Sequence, residues 1–442
     1  MRMTSFLLRS SIVGALGGLL FGFDTAVISG TLHQLTELFH LNDFTLGITV
    51  FIGLFGTVLG ALGSGALGQK IGGREALRIM AVLYVISAVG CAFAWNWYAL
   101  LVFRFIGGIG IGGSSVLGPV YIAELAPAAW RGRLVGLFQI NIVIGILLAY
   151  LTNYFIDTMH LGVNEWRWQL GIAAFPSLIF LGLLYAIPRS SRWLLTSGRV
   201  DEARKVLEMM GSPDSEAELR EIQDSIHFEA GEKHEPVLQK KYSFPIFLAV
   251  SIGLFNQLTG INAILYYQNL IFEKAGFSTL SGYKQAAFVG AMNLAATFLG
   301  MSLIDKLGRK TLLLIGAVGM AFCLSGVAAV FFTNSHQSLL LWLLLAYIAF
   351  FAISQGAVIW VYIAEVFPTR VRSKGQSIGP GSHWVMNALI ALIFPLLAKK
   401  SGGVPFAFFA AMMVVQFIVV LTMYPETKGL SLEQLQHKLK LS

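Results

Sequence analysis

The sequence predicts an all-α membrane protein of twelve transmembrane helices, built as two homologous six-helix halves. Three observations carry that expectation: an apolar composition, about twelve apolar stretches of spanning length, and a motif that occurs twice. Hydrophobic residues fill 56% of the 442 positions and charged residues only 12%, whereas water-soluble domains run near 25% charged. The mean hydropathy is +0.72. A bilayer core asks for about 20 apolar residues per helix. Such stretches lie near 8–30, 44–67, 76–94, 98–122, 133–155, 168–187, 244–270, 284–304, 311–332, 338–365, 374–397 and 403–424. Tyr121-Ile122-Ala123-Glu124, then Pro127 and Arg131, reads YIAExxPxxxR, and Tyr362-Ile363-Ala364-Glu365, then Pro368 and Arg372, repeats it with the same spacing. The connections Gln69 to Arg74 and Asp305 to Lys310 agree on almost the same offset. An offset of about half a chain marks a duplication and not a solenoid. Parallel halves of apolar segments mark one class of transporter, with its substrate site between the halves near the bilayer midplane.

The elements follow in order. Residues 1–187 form the first half. Residues 188–243 are the one long polar stretch, where Val200 to Met210 and Ser212 to Ile226 have helical spacing. They predict short helices in a linker and hold too few apolar residues for a core. Residues 244–428 form the second half. In the tail, 429–442, Leu430, Leu432, Leu435 and Leu439 predict a short amphipathic helix at the membrane face. Most of the 31 Lys and Arg residues fall in the tails, the linker and the even-numbered connections. That asymmetry places both termini in the cytoplasm of a cell (plasma or inner) membrane, and it accounts for the net charge of +8 without nucleic acid. An N-terminal signal peptide is not expected, because Asp24 interrupts the first apolar run, no clean small-x-small cleavage site follows, and that run is needed to complete the first half. Cys91 and Cys323 lie in membrane segments and offer neither a disulfide framework nor metal spacing.

Polar groups inside hydrocarbon carry the chemistry. Asp24, in GGLLFGFDTAVISG, must pair, face water or take a proton, since a bare carboxylate there costs several kcal/mol. Its natural partner is Arg104, deep in the fourth stretch. A carboxylate that pairs with a guanidinium and is released when the pair opens suits a proton-coupled cycle. The stretch Asn256-Gln257-Leu258-Thr259-Gly260-Ile261-Asn262, with Tyr266 one turn on, is the densest uncharged polar group in any membrane segment. Gly260 permits the helix to break there. Amides and phenols offer donors and acceptors together, which suits neutral polyols. Gln139, Asn293, His383, Trp384 and Asn387 are further membrane polar groups, and Trp360 is a further aromatic that suits the apolar faces of a sugar. Glu124, Arg131, Arg309, Glu365 and Arg372 stand at helix ends where ion pairs could close an inner gate. The run Gly108 to Gly113 resembles a dinucleotide loop only in part and sits in an apolar helix, where packing explains it. No Walker loop is present, and His33, His40, His160, His227, His234, His336 and His437 are expected in solvated loops or tails.

These residues resemble the sugar porter branch of the major facilitator superfamily across essentially the whole chain. The matching stretches are 17–30, RFIGGIGIGG (104–113), YIAELAP (121–127), RGRLVGLFQ (131–139), NQLTGIN (256–262), DKLGRK (305–310), YIAEVFP (362–368) and PETKG (425–429). The first half is most similar to the bacterial proton-coupled xylose symporters, which have an acid where Asp24 stands, while facilitators carry an uncharged residue. The resemblance implies the major facilitator fold and a sugar pocket of Gln139, Asn256, Gln257, Asn262, Tyr266, Asn293, Trp360, His383 and Trp384. It makes Asp24 and Arg104 the coupling pair. Three departures stand out: an imidazole at His383 where the family has an amide, Gln69 with Gly72-Gly73-Arg74 in the first-half connection, and Arg189 where an acid is usual. The second of these is expected to weaken the inner-gate pairing in the first half.

The expectation is therefore a sugar/proton symporter, not an enzyme, without cofactor or metal. Its partners are a neutral monosaccharide (xylose or a hexose such as glucose), protons and the lipid bilayer, and it acts as a monomer. The rivals are a passive uniporter, against which Asp24 speaks, and a transporter-like sugar sensor, which calls for a long signalling tail.

Overall fold

The computed structural model describes residues 4–212, 214–231, 237–367 and 371–428, without the side chains of residues 128, 129, 131, 132, 227–231, 279, 280, 372–374, 376 and 400. The tail helix expected over 429–442 and the side chains of Arg131 and Arg372 thus lie outside the described residues.

Among the described residues every regular element is helical. In the first half these are α1 (Ser5–Phe39), α2 (Asp43–Ile71), α3 (Gly73–Ala92), α4 (Trp97–Leu125), α5 (Ala128–Thr158), α6 (Glu165–Gly171) and α7 (Ala174–Leu183). The linker holds α8 (Ser191–Thr196), α9 (Val200–Met209) and α10 (Ser215–Gly231). The second half has α11 (Ser243–Leu258), α12 (Ile261–Lys274), α13 (Thr279–Leu307), α14 (Arg309–Thr333), α15 (Leu339–Ile353), α16 (Gln355–Val366), α17 (Arg372–Lys400) and α18 (Val404–Met423). Local chemistry sets the helix ends. Asn42 and Thr45 cap each other at the start of α2, each backbone N–H donating 2.9 Å to the other's side-chain oxygen. Asn96 accepts from Ala99 N at the start of α4, in the short α3–α4 connection that the sequence predicts.

Eleven described helical spans are long and apolar enough to cross a membrane, with α11–α12 and α15–α16 each counted as one. The twelfth, expected as one helix over 168–187, is instead split between α6 and α7. The reason is Pro176, whose ring clashes with the carbonyl four residues back, at Ile172. The stretch 338–365 is likewise split, at Ser354, whose backbone leaves helical geometry (φ −111, ψ −94). The first apolar stretch, expected to end near residue 30, continues as helix to Phe39.

The chain packs as two compact units. The first is Met1–Val27, Ile52–Ala149 and Leu161–Lys233; the second is Ile28–Phe51, Tyr150–His160 and His234–Ser442. In the first unit α9 and α10 bury Ala203, Val206, Leu207 and Leu219 in the same core as α3 and α4 residues such as Leu77, Met80 and Tyr121. The glycine-rich face of α4 meets α2 backbone to backbone. A Cβ at Gly108 would strike Gly53 O, and one at Gly112 would strike Thr57 O and Ala61 N. Small residues permit this close approach, since no hydrophobic force drives helix association in lipid.

Gly112→Val should therefore lower the melting temperature of the purified protein by several degrees, since overpacking costs about 1–3 kcal/mol. Gly63→Val, whose Cβ would meet nothing within 4 Å, should leave it unchanged. Equal melting of the two variants would contradict this account of the α2–α4 contact.

Candidate functional site

In the second unit the amide cluster forms around a broken helix. Gly260 adopts φ +84, where an L-residue is strained, and the Phe409 ring fills the place of its absent Cβ. The break between α11 and α12 frees backbone groups, and two of them are taken up by side chains. Thr259 O accepts from Tyr347 Oη at 2.9 Å, and Ile261 N donates to Thr259 Oγ1 at 3.1 Å. The two half-helices then present their amides to one another. Gln257 Nε2 donates to Asn256 Oδ1 at 3.1 Å and lies 3.2 Å from each ring nitrogen of His383, while its Oε1 accepts from Asn262 Nδ2 at 3.1 Å. Trp360 and Trp384 stand edge-on to the His383 ring at 5.2 and 5.1 Å. Asn387 Nδ2 donates to Tyr266 Oη at 3.1 Å. Asn293 is buried on α13 with no hydrogen bond to those side chains among the described contacts. Gln139 belongs to the first unit, half-buried on α5. The arrangement is uncharged, amphoteric in hydrogen bonding and walled by two indoles, the chemistry that suits a neutral polyol.

Asp24 and Arg104 meet in the first unit. Arg104 Nη2 lies 3.8 Å from Asp24 Oδ2. The guanidinium is 5% exposed and the carboxylate 31%, so water can reach the acid more easily than the base. They line one cavity with Tyr84, Ser87, Cys91 and Ser177, and Tyr84 Oη is 3.1 Å from Ser114 Oγ. Gly53 backs the guanidinium, where a Cβ would come within 3.3 Å of Nη2. The cavity can hold a proton-exchanging carboxylate against one fixed positive charge.

At the linker side the repeated motif does the same work twice. Tyr121 Oη donates to Pro188 O at 2.6 Å, and Tyr362 Oη donates to Pro425 O at 3.2 Å. Each tyrosine thus pins the chain just after the last membrane helix of its half. Glu365 accepts from Arg309 Nη2 at 2.9 Å and from Thr427 Oγ1 at 2.6 Å, and Glu124 interacts with Ser190 and Arg192. Gly72 and Gly308 take the same glycine-only conformation, φ +91 and +90, at the two equivalent connections. The charges behind them are reversed. Glu426 accepts backbone N–H bonds from Arg309, Lys310, Thr427 and Lys428. Arg189, at the matching place in the first half, reaches Glu75 on α3, with 3.3 Å between Arg189 Nη2 and Glu75 Oε1. Glu75 also binds Arg74 at 2.6 Å and Arg78 at 2.7 Å. The first-half connection is therefore tied by Arg189 and Glu75, while Gly73 stands where the second half has Arg309, the partner of Glu365.

At the opposite ends of the helices, within the second unit, the end of α1 and the end of α5 close on α12 and α13. Tyr283 Oη donates to Gly30 O at 2.5 Å, and Tyr150 Oη lies 3.0 Å from Leu265 O and 2.9 Å from Gln268 Oε1. His33, expected in a solvated loop, lies instead within the overrun of α1. Its Nδ1 is 3.3 Å from Glu273 and its Nε2 3.4 Å from Glu37. Sequence reasoning missed this closure, whose partners stand far apart in the chain. The signal that could have found it is the polar run Tyr266-Tyr267-Gln268-Asn269 continuing past the amide cluster.

The family model described as "Sugar (and other) transporter" matches residues 10–439. The D-xylose-proton symporter of Escherichia coli (strain K12) is 36% identical over 471 residues, covering 98% of this chain and 96% of its own. The arabinose-proton symporter of Bacillus subtilis (strain 168) is 36% identical over 438 residues, 98% of this chain and 94% of its own. Among solved structures, the inward-open conformation of the xylose transporter XylE from E. coli superposes with a TM-score of 0.87 at 34% identity, covering 98% of this chain and 100% of that one.

Glu426 lies beyond the last membrane span. Burial works to raise its pKa, but the backbone N–H groups of Lys428, Arg309, Lys310 and Thr427 outweigh it and hold the carboxylate below its usual range. A lowered native pKa contributes stability above the unfolded value of about 4.3, and that stability is lost as pH falls through the native value. The melting-temperature gap between wild type and Glu426→Gln should be steady above about pH 5 and shrink below about pH 4. A gap that widens on acidification would contradict this role.

Proposed function

This chain belongs to the sugar transporter family of multi-pass membrane proteins, and on that premise we propose that it is a sugar/proton symporter for a neutral monosaccharide, xylose or a hexose such as glucose. It works by alternating access in the cell membrane, with both chain ends in the cytoplasm and with halves 1–187 and 244–428 rocking about the sugar. The observation that carries the reading is the Asp24 carboxylate held 3.8 Å from Arg104 inside the membrane region, in a chain whose relatives include proton symporters of xylose and arabinose. Protonation of Asp24 cancels its attraction for Arg104. The protonated carrier accepts sugar from outside, the halves rock, and sugar and proton leave inside. A membrane potential of about 100 mV supplies about 2.3 kcal/mol per charge moved, enough for roughly 50-fold accumulation. Gln139, Asn256, Gln257, Asn262, Tyr266, Asn293, His383 and Asn387 hydrogen-bond the sugar, and Trp360 and Trp384 cover its apolar faces. Glu124, Arg131, Arg309, Glu365 and Arg372 hold the inner gate.

Uptake into proteoliposomes under an imposed pH gradient tests the coupling. Wild type should concentrate labelled sugar. Asp24→Asn, nearly isosteric with the protonated acid, should exchange sugar across the membrane but not concentrate it. If Asp24→Asn concentrates sugar as wild type does, the coupling site lies elsewhere; if wild type never concentrates sugar, the protein is a uniporter.

The amide cluster is tested separately. Gln257→Ala should weaken equilibrium sugar binding about ten- to hundredfold, the effect of a hydrogen bond lost in a dry site, with melting little changed. Unaltered affinity in the folded variant would remove Gln257 from the pocket.

A further inference from the structure

The polar face of α12 does not stop at the amide cluster. Asn262, Tyr266, Asn269 and Glu273 recur at spacings of four, three and four along α12, with a kink at Tyr267 (φ −108, ψ 15) between the first two and the last two. Asn262 and Tyr266 belong to the cluster. Asn269 stands just past the kink, between the cluster and the His33–Glu273 contact in the order of α12. Asn269 is 3% exposed and its neighbour Gln268 is fully buried. Among the described residues neither amide atom of Asn269 has a hydrogen-bond partner, and Gln268 Nε2 has none. Gln268 Oε1, by contrast, is held by Tyr150 Oη at 2.9 Å. Three open hydrogen-bonding positions, a donor and an acceptor among them, are thus gathered on one turn that the closed ends of α1 and α5 cover. Buried polar atoms are seldom left unsatisfied, and apolar residues there would pack a closure more cheaply.

We propose that Gln268 and Asn269 form an outer station for sugar hydroxyls, which a monosaccharide occupies on its way between the outside and the amide cluster when these helix ends part. The inference rests on the proposed function and adds a second, transient place of recognition to it. Recognition at such a station acts on the rate of exchange and on the choice among sugars, and leaves the equilibrium affinity of the central pocket unchanged. That separates its effect from that of Gln257.

The test is counterflow of D-glucose, D-xylose and a set of glucose analogues each lacking one hydroxyl, in proteoliposomes of the full chain. Wild type, Asn269→Leu, Asn269→Ser and Gln257→Ala are compared. Asn269→Leu should lower kcat/KM for the better of the two parent sugars about tenfold, the factor for one hydrogen bond of about 1.4 kcal/mol. Equilibrium binding and melting temperature should be unchanged. For the analogue that lacks the contacted hydroxyl, variant and wild type should perform alike, the non-additivity that marks a direct contact. Asn269→Ser, which keeps a donor and an acceptor, should recover part of the loss, and it is read in the same way if Asn269→Leu does not fold. An equal loss for every sugar would mean that Asn269 acts only on opening, and the station falls. A fall in equilibrium binding like that of Gln257→Ala would put Asn269 in the central pocket, and the station falls again. If wild type exchanges neither parent sugar, the proposed function itself fails, an outcome visible without any variant.

Discussion

Hydrocarbon offers no hydrogen bonds, so a backbone group released inside a membrane must find a partner within the protein. The whole site depends on that constraint. A continuous helix satisfies it but presents its amides in a fixed spiral. To turn Gln257 and Asn262 toward each other the seventh span has to break, and the break is tolerated because Tyr347 takes up the Thr259 carbonyl and Thr259 Oγ1 takes up the Ile261 N–H. The same device recurs in α17. Pro395 has no N–H to offer the carbonyl four residues earlier, and Tyr267 Oη donates to that carbonyl, Ala391 O, at 2.7 Å. Phenols act here as replacement donors: long enough to cross between helices, apolar along most of their length, and able to give one hydrogen bond at the tip. Tyr150 and Tyr283 use the same reach to join segments of the first half to the second.

The two halves share a scaffold and differ in what they hold. In each, a tyrosine of the repeated motif ties down a proline carbonyl after the last membrane helix, and a glycine at φ near +90 turns the connection between the second and third membrane helices. Within that common frame the membrane-embedded ion pair sits in the first unit and the uncharged amides in the second. Glu426 in one half and Arg189 in the other stand at matching places and tie the connection by different contacts. In the second half a carboxylate takes up backbone N–H groups at the turn, and in the first a guanidinium takes up a carboxylate on α3.

The duplication, the spans and the amide cluster were legible because each rests on a local pattern: hydropathy over about 20 residues, a repeated string, a polar run in an apolar helix. The break at Gly260 was legible because glycine alone takes a positive φ cheaply. Pro176 carried an equally plain signal for the split between α6 and α7, which counting apolar residues overlooked. Ser354 carries a weaker one, Gly356 two residues on, in a stretch otherwise apolar enough to read as one helix. The overrun of α1 to Phe39 was hidden by polar residues such as His33, Gln34 and Glu37, which look like a loop until Glu273 is seen beside them. Contacts such as Tyr283 to Gly30 join residues hundreds of positions apart, and no single-sequence pattern encodes such a pairing.

Glu426 carries a further consequence, for how the molecule is made. A ribosome delivers the chain from its N-terminus, so the connection between α13 and α14 enters the membrane well over a hundred residues before the carboxylate that binds its backbone exists. Until then the N–H groups of Arg309 and Lys310 can be served only by water at the interface. The second half therefore cannot reach its finished form helix by helix as it is inserted. Its linker-side turn stays provisional until translation has passed the twelfth span, and a segment beyond α18 completes a turn begun more than a hundred residues before it.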